Sequence, residues 1–277
     1  MIIRDLTSLE DCQQVVRLQK DVWGYADGED VVPVPVLIVS IKRGGILIGA
    51  FEGERLVGFV YSVPALKDGQ LTQWSDMLGV TRAARGSGLG LRLKLAQRER
   101  ALAMGIEIIE WTFDPMQALN AHLNMGRLGA IAEVYEENLY GETSSPLHRG
   151  VPTDRLVALW KLTAPHVERR IQPSGLPVAR DASVMAAPVV NTSRDQDPAE
   201  PDVQCNDRRV LIEVPGNFTE MLTADPPRAH RWRMTTRLAF QTYFARSYRA
   251  VDFLLSADRH RGHYLLEKTT MSVNGQC

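Results

Sequence analysis

Apolar positions recur along this chain with two different periods, and the switches between them outline its elements. Ile2, Ile3 and Leu6 suggest a first short strand. Ser8 followed by Asp11 predicts a helix start, after which Val15, Val16, Leu18 and Val22 recur at helical spacing up to Trp23-Gly24-Tyr25. An acidic loop, Ala26 to Asp30, leads to a second helix over Val34 to Ile41, entered through Pro33 or Pro35 and stopped by Gly44-Gly45. A hairpin comes next, Ile46–Phe51 and Leu56–Ser62 around Glu52 to Arg55, and a turn at Lys67 to Gln70 opens a further strand, Leu71 to Val80. The chain then turns through Arg85-Gly86-Ser87-Gly88-Leu89-Gly90 into a helix whose apolar face carries Leu89, Leu93, Ala96 and Leu102. Gly105 stands at the helix end, and Ile106 to Phe113 reads as a fifth strand.

The glycine turn carries the chemistry. Glycines let the backbone approach a ligand closely, and the helix start behind them adds roughly half a positive charge. Strand, glycine turn and helix N-terminus together favour an anion, with a pyrophosphate as the natural occupant. A dinucleotide fold would need Gly-x-Gly-x-x-Gly directly after the strand, and a P-loop would end in Gly-Lys-Ser or Gly-Lys-Thr; neither is present. What is present is Arg-x-x-Gly-x-Gly, as Arg85, Gly88 and Gly90.

This stretch resembles the acyl-CoA-binding signature of the GNAT acyltransferases, and the order of elements extends the resemblance over residues 1–163. It implies an α/β fold with a mixed, mostly antiparallel central sheet flanked by helices. In that fold the fourth and fifth strands splay, and the pantetheine arm of acetyl-CoA, or of another acyl-CoA, pairs with the exposed edge of the fourth strand. By resemblance that edge is Met77, Leu78, Gly79 and Val80, while Arg85, Gly86, Ser87, Gly88, Leu89 and Gly90 hold the pyrophosphate. Many members carry Asn-x-x-Ala, a tyrosine and Gly-Phe after the fifth strand. Here the equivalent is Asp114 to Ala130; Asn120 is the asparagine expected to touch pantetheine or hold the helix, and Met125 falls where the tyrosine that protonates the departing thiolate would sit. WTFDPMQALNAHLNMGRLGA and Ser145 to Trp160 are similar to a bacterial subgroup of acyltransferases with an extra C-terminal half. Some related members are associated with N-acylation of amino acids, including N-succinylation.

Thioester aminolysis needs a neutral amine, a stabilised oxyanion and a proton for the leaving thiolate. A backbone N–H near Leu78 or Gly79 is the candidate oxyanion donor. Asp76 and Glu110, on the strands lining the cleft, and Asp114 at the end of the fifth strand are candidate bases, although Asp114 before Pro115 also suits a helix cap. Tyr140, with Tyr135, is a candidate acid in place of the missing tyrosine. His122 suits packing or surface more than catalysis, and Asn124 shares a helix face with Asn120. Arginine binds carboxylates through paired hydrogen bonds, so Arg149 and Arg155, with Arg127 as a further candidate, would hold an amino-acid acceptor.

Beyond Thr163 the pattern fades into a Pro-rich linker, 164–207, with a short strand at Val184 to Val190. Residues 208–277 return to order as a small C-terminal β-α-β-β subdomain: Arg209–Pro215, a helix over Ala229 to Tyr248, and strands Val251–Leu255 and His263–Glu267. A unit of that size packs on the catalytic half or on a partner subunit. Its sheet edge would suit a homodimer.

Composition narrows the partners. With 277 residues, 44% hydrophobic, 23% charged and a formal net charge of -1, nothing calls for nucleic acid or a membrane surface. Three cysteines, Cys12, Cys205 and Cys277, are too scattered for a disulfide framework or a zinc site and suit a reducing cytoplasm. MIIRDLTSLEDC does not read as a signal peptide, and no apolar run is long enough for a membrane span. No metal is implied. The leading expectation is an enzyme, an N-acyltransferase moving an acetyl or succinyl group to a small amine, most simply an amino acid. A CoA-binding regulatory protein without turnover and a protein or peptide N-acetyltransferase are the alternatives.

Overall fold

The structure is a computed structural model and describes residues 1–25, 30–141, 150–172, 181, 184 and 186–269. The chain divides into two compact units, neither continuous in sequence. One holds Met1–Thr112, Tyr140–Gly150 and Ala158–Leu176; the other holds Phe113–Leu139, Val151–Val157 and Pro177–Cys277.

The first unit opens with β1 (Ile2–Asp5) and α1 (Leu9–Trp23). The expected cap is present as a full capping box: Ser8 accepts from the Asp11 N–H, and the Asp11 carboxylate accepts from the Ser8 N–H in return. Asp11 also takes two hydrogen bonds from Arg4, whose guanidinium holds the carboxyl far below its usual range. Gly24 ends the helix at φ 67°, a left-handed conformation that glycine adopts without strain. Then come α2 (Val34–Lys42), β2 (Ile46–Glu52), β3 (Arg55–Lys67), β4 (Gln70–Val80), α3 (Leu89–Ala103) and β5 (Ile108–Phe113). Their order across the sheet is β1-β2-β3-β4-β5, antiparallel except for the parallel β4/β5 pair. Leu18 and Val15 of α1, Leu37 of α2, and Leu47, Phe59 and Tyr61 of the strands form one core cluster beneath the two helices. The order of elements expected from the sequence is present here.

The buried face of α3 departs from the expected apolar stripe. Leu89 and Leu93 are buried as anticipated, but Lys94 and Gln97 are buried beside them, whereas Ala96 and Leu102 are only partly covered. Polar side chains can occupy such positions when they satisfy one another, as these do.

In the second unit, α4 (Ala118–Ala121) runs into a π-helical turn at His122–Arg127, followed by β6 (Ile131–Glu136). The strand β7 (Arg155–Lys161) is cut by the division between the units, and α5 (Pro165–Arg170) belongs to the first. The remaining elements are β8 (Arg209–Pro215), α6 (Phe218–Ala224), α7 (Pro226–Ala245), β9 (Tyr248–Leu255) and β10 (Arg261–Lys268). Strands β6-β9-β10-β8 are neighbours in that order and antiparallel. The short α6 was not anticipated, and β9 begins where the sequence pattern still suggests helix. Ser247, at φ 63°, turns the chain between α7 and β9. The C-terminal segment therefore has two helices between its first two strands.

The Pro-rich stretch is not a free tether over 186–207. Asn191 replaces a strand partner on the edge of β8: its side-chain amide donates to Glu213 O and accepts from Glu213 N. Trp232 Nε1 donates to Gln196 O, and Tyr243 OH to Asp202 O. Of the short strand expected at Val184 to Val190, the described residues show a parallel bridge, Val189 with Leu211.

Candidate functional site

The site begins with a failure of pairing. β4 and β5 are joined at Gln73 with Ile109 and at Trp74 with Glu110, and there the ladder stops. Among the described residues, Met77 to Val80 of β4 pair only with β3, so the backbone groups there that are turned away from β3 have no strand partner. The β3/β4 register explains the parting. Tyr61 faces Met77 and Val63 faces Trp74, so Ser75 and Asp76 together oppose Ser62. This bulge bends β4 at the point where β5 leaves it.

At Gly79 the sheet is closely packed. A Cβ there would stand 2.9 Å from the Phe59 ring and 3.0 Å from Trp23, so glycine is what lets the end of α1 lie on the strand. Trp23 packs edge-on against Phe59 and is stacked with Tyr25.

Beyond Val80 the chain makes a 3-10 turn at Arg82–Ala84 and enters the glycine turn. Gly86 and Gly88 both have φ 79°, with nothing within 4 Å of a Cβ built on either. Backbone conformation, rather than space, is what requires glycine at these two positions. Gly88 is the N-cap of α3, no side chain caps the helix, and its first turn has no acid. The leading N–H groups are thus left for an outside acceptor. Arg82, Arg85 and Arg92 are exposed around them. Among the described residues Arg85 makes a single long contact from Nε to Val80 O at 3.5 Å, while the Ser87 hydroxyl donates to Ala84 O at 2.7 Å. The turn fits a diphosphate through backbone amides and arginine, with Ser87 tightening the turn.

Asp76 stands in the bulge, open to solvent yet surrounded by enough protein that desolvation raises its carboxyl above the usual range. Glu110 is buried and paired with Lys67 Nζ at 2.8 Å. Tyr140, half-exposed, has its hydroxyl 2.7 Å from Thr112 Oγ1, two residues past the last β4/β5 pair. These residues share the first unit with Leu78, Gly79, Val80 and the turn from Arg85 to Gly90.

Asp114, Asn120 and Arg155 belong to the second unit. Asp114 is buried and binds Arg233 through two hydrogen bonds of 2.8 and 2.9 Å, while accepting from the Met116 N–H. Burial alone would raise its carboxyl; Arg233 outweighs that and holds it low. A carboxylate so committed is an ion-pair anchor and a cap rather than a base. Asn120 is exposed and accepts from Asn124 Nδ2 at 3.3 Å, as the shared helix face implies. Arg155 Nη1 donates to Asp154 O, and its charge acts on Asp114. Tyr135 donates to Asp154 and stacks on Phe240, which makes it part of the packing. Met125 is fully buried. Arg149 lies outside the described residues.

Three further side chains escaped the sequence reading. Lys94 is almost completely buried, donates to Ser75 Oγ at 2.8 Å and Gln97 Oε1 at 3.1 Å, and lies 3.8 Å from the centre of the Trp111 ring. Desolvation lowers its amine to about 7. It thus supports one residue of the bulge from below. Its one signal in sequence is its place directly after Leu93 on the buried side of a helix. The other two, Tyr61 and Ser40, are buried hydroxyls close enough to act on each other. Nothing in the sequence marks either.

No protein-family model matches the chain, and no characterised protein matches it in sequence. Solved structures do resemble it. One is the ribosomal-protein-S18-alanine N-acetyltransferase from Escherichia coli, at 12% identity over 59% of this chain and 94% of that one, TM-score 0.47. A second is an acetyltransferase of the GNAT family from Streptococcus pneumoniae, at 16% identity over 57% and 97%, TM-score 0.47. A third is the PaiA N-acetyltransferase from Thermoplasma acidophilum in complex with coenzyme A, at 14% identity over 58% and 98%, TM-score 0.41. Among the described residues no helix is long and apolar enough to cross a membrane, and no cluster could hold a metal ion.

Proposed function

We propose that this protein is an acyl-CoA-dependent N-acyltransferase acting on the amine of a small molecule. The observation that carries this reading is the end of the β4/β5 ladder at Trp74 and Glu110, directly ahead of an uncapped helix start. An unpaired strand edge suits the amides of pantetheine, and the amides of the turn suit its diphosphate. An acetyl or succinyl thioester is the co-substrate, and an amino acid or related metabolite is the acceptor.

In the reaction the amine nitrogen attacks the thioester carbonyl, a carbon–nitrogen bond forms, and the carbon–sulfur bond breaks. Asp76 takes the proton lost by the amine, and an unpaired N–H at Leu78 or Gly79 steadies the oxyanion. The departing thiolate takes up a proton, for which Tyr140 is the candidate donor, leaving an amide and free CoA. Under this reading, Asp76→Asn lowers kcat/KM by about a hundredfold or more and leaves the Kd of acetyl-CoA unchanged. Activity in the parent falls with acidity through a pKa above the ordinary carboxylate range, because only the ionised carboxylate accepts a proton. Calorimetry with acetyl-CoA and succinyl-CoA, followed by free-thiol release over a panel of amines, checks both points. The buried Met125 in the tyrosine's place favours one rival, a CoA-binding protein without turnover. Tight CoA binding with no thiol release from any amine would establish that rival.

A further inference from the structure

Lys94 touches both strands at the fork of the sheet. The last joined pair of β4 and β5 is Trp74 with Glu110, and one step beyond it stand Ser75 on β4 and Trp111 on β5. Lys94 Nζ donates to Ser75 Oγ at 2.8 Å and lies 3.8 Å from the centre of the Trp111 ring. Trp111 is in turn packed edge-on against Trp160, with ring centres 6.0 Å apart. Gln97, one turn further along α3, completes a triangle. Its Oε1 accepts from Lys94 at 3.1 Å, and its Nε2 donates to Ser75 Oγ at 3.1 Å. All of these residues lie in the first unit, and all are buried.

Packing alone does not call for an amine at this point. A methionine has nearly the same length and no charge to desolvate, whereas burial holds the Lys94 amine down at about 7. What the amine adds is direction. A donor fixed to a hydroxyl on one strand and to the face of an indole on the other sets how the two strands stand where they divide. Ser75 shares the bulge with Asp76, opposite Ser62, so the orientation of one constrains the other. Lys94 is also carried on the helix that Gly88 begins, six residues after that N-cap. One helix therefore joins the amides of the glycine turn to the fork.

We propose that Lys94 is a positioning residue: through Ser75 and Trp111 it holds the opening between β4 and β5 in the geometry that aims Asp76 at the amine and the N–H groups of Leu78 and Gly79 at the thioester carbonyl. Buried as it is, it touches no substrate itself. The catalytic consequence rests on the acyl-transfer reading above; the hold on β4 does not.

Lys94→Met and Ser75→Ala remove the link from either end. Each is expected to lower kcat for thiol release about tenfold or more, the cost of misplaced reacting groups, and to leave the Kd of acetyl-CoA within about twofold. The double variant is expected to be no slower than the slower single one, because both act through one hydrogen bond. Urea unfolding near pH 7 is expected to find Lys94→Met at least as stable as the parent, so that its slowing is not a loss of folded protein.

Amide hydrogen exchange tests the hold on β4 without turnover. In both single variants the peptide spanning residues 75–80 is expected to exchange about tenfold faster, the worth of one buried hydrogen bond, while that spanning 46–51 is unchanged. Faster exchange there, with no thiol release from any amine even in the parent, sustains the hold and overturns acyl transfer alone. Full kcat in Lys94→Met, an effect confined to KM, additive losses in the double variant, or unchanged exchange over 75–80 overturns the positioning role. So does a fall in kcat that merely tracks a fall in global stability, which would make Lys94 part of the packing.

Discussion

Lys94 shows how a single side chain can set conditions for a site it does not reach. Its amine is buried among Ser75, Gln97 and the Trp111 ring, and desolvation holds it at about 7, against roughly 10.4 in an unfolded chain. Between those values the unfolded chain binds a proton that the folded chain does not. Stability therefore rises with pH across that window, by up to about 1.4 kcal/mol per unit from this group. Below about 7 the folded protein carries the full cost of a buried charge. Lys94→Met removes that rise. Urea unfolding of both proteins at several pH values between 7 and 10 is expected to show the variant's advantage shrinking as pH increases. Parallel stability curves would mean that water or an unseen rearrangement already solvates the amine.

At the scale of elements, the glycines of the site differ in what they do. Gly79 is required by space, since a Cβ would meet the Phe59 and Trp23 rings, which are packed on each other. Gly88 is required by conformation, at φ 79° in open surroundings. Gly79→Ala is expected to cost about 1–3 kcal/mol through overpacking, and thermal unfolding followed by tryptophan fluorescence would also report displacement of Trp23. Gly88→Ala is expected to cost about 1–2 kcal/mol through backbone strain alone, with no change in that signal. The glycine turn was legible in sequence because short-range spacing determines it. The bulge was not, because it exists only as a mismatch between two strands, and β4 by itself reads as an uninterrupted run.

For the molecule as a whole, the buried pair of Asp114 and Arg233 ties together distant parts of the second unit's chain. It joins positions 119 residues apart, and Arg233 Nε has no further partner among the described residues. Asp114→Asn leaves the guanidinium buried without a countercharge and is expected to cost about 3–5 kcal/mol. Asp114→Leu combined with Arg233→Met is expected to recover most of that, as read by the urea midpoint. If the single and double variants were equally destabilised, packing rather than charge would be responsible. Because Asp114 is held low in the folded state, its contribution is complete at neutral pH and is lost as pH falls through that depressed value. Asp114 looked like a base or a cap from its place after the fifth strand. Its partner on α7 was invisible, since no local pattern links residues so far apart.

Local rules in the chain were sufficient for the capping box at Ser8, the turn from Arg85 to Gly90, and the strands on either side of it. Each depends on residues within a few positions of one another, where backbone geometry and short hydrogen bonds decide the outcome. Tertiary structure decided which polar groups are buried and with what company: Lys94 under the bulge, Tyr61 beside Ser40, Asp114 against Arg233. Desolvation depends on everything that packs around an atom, and that neighbourhood is assembled from parts of the chain that no periodicity connects.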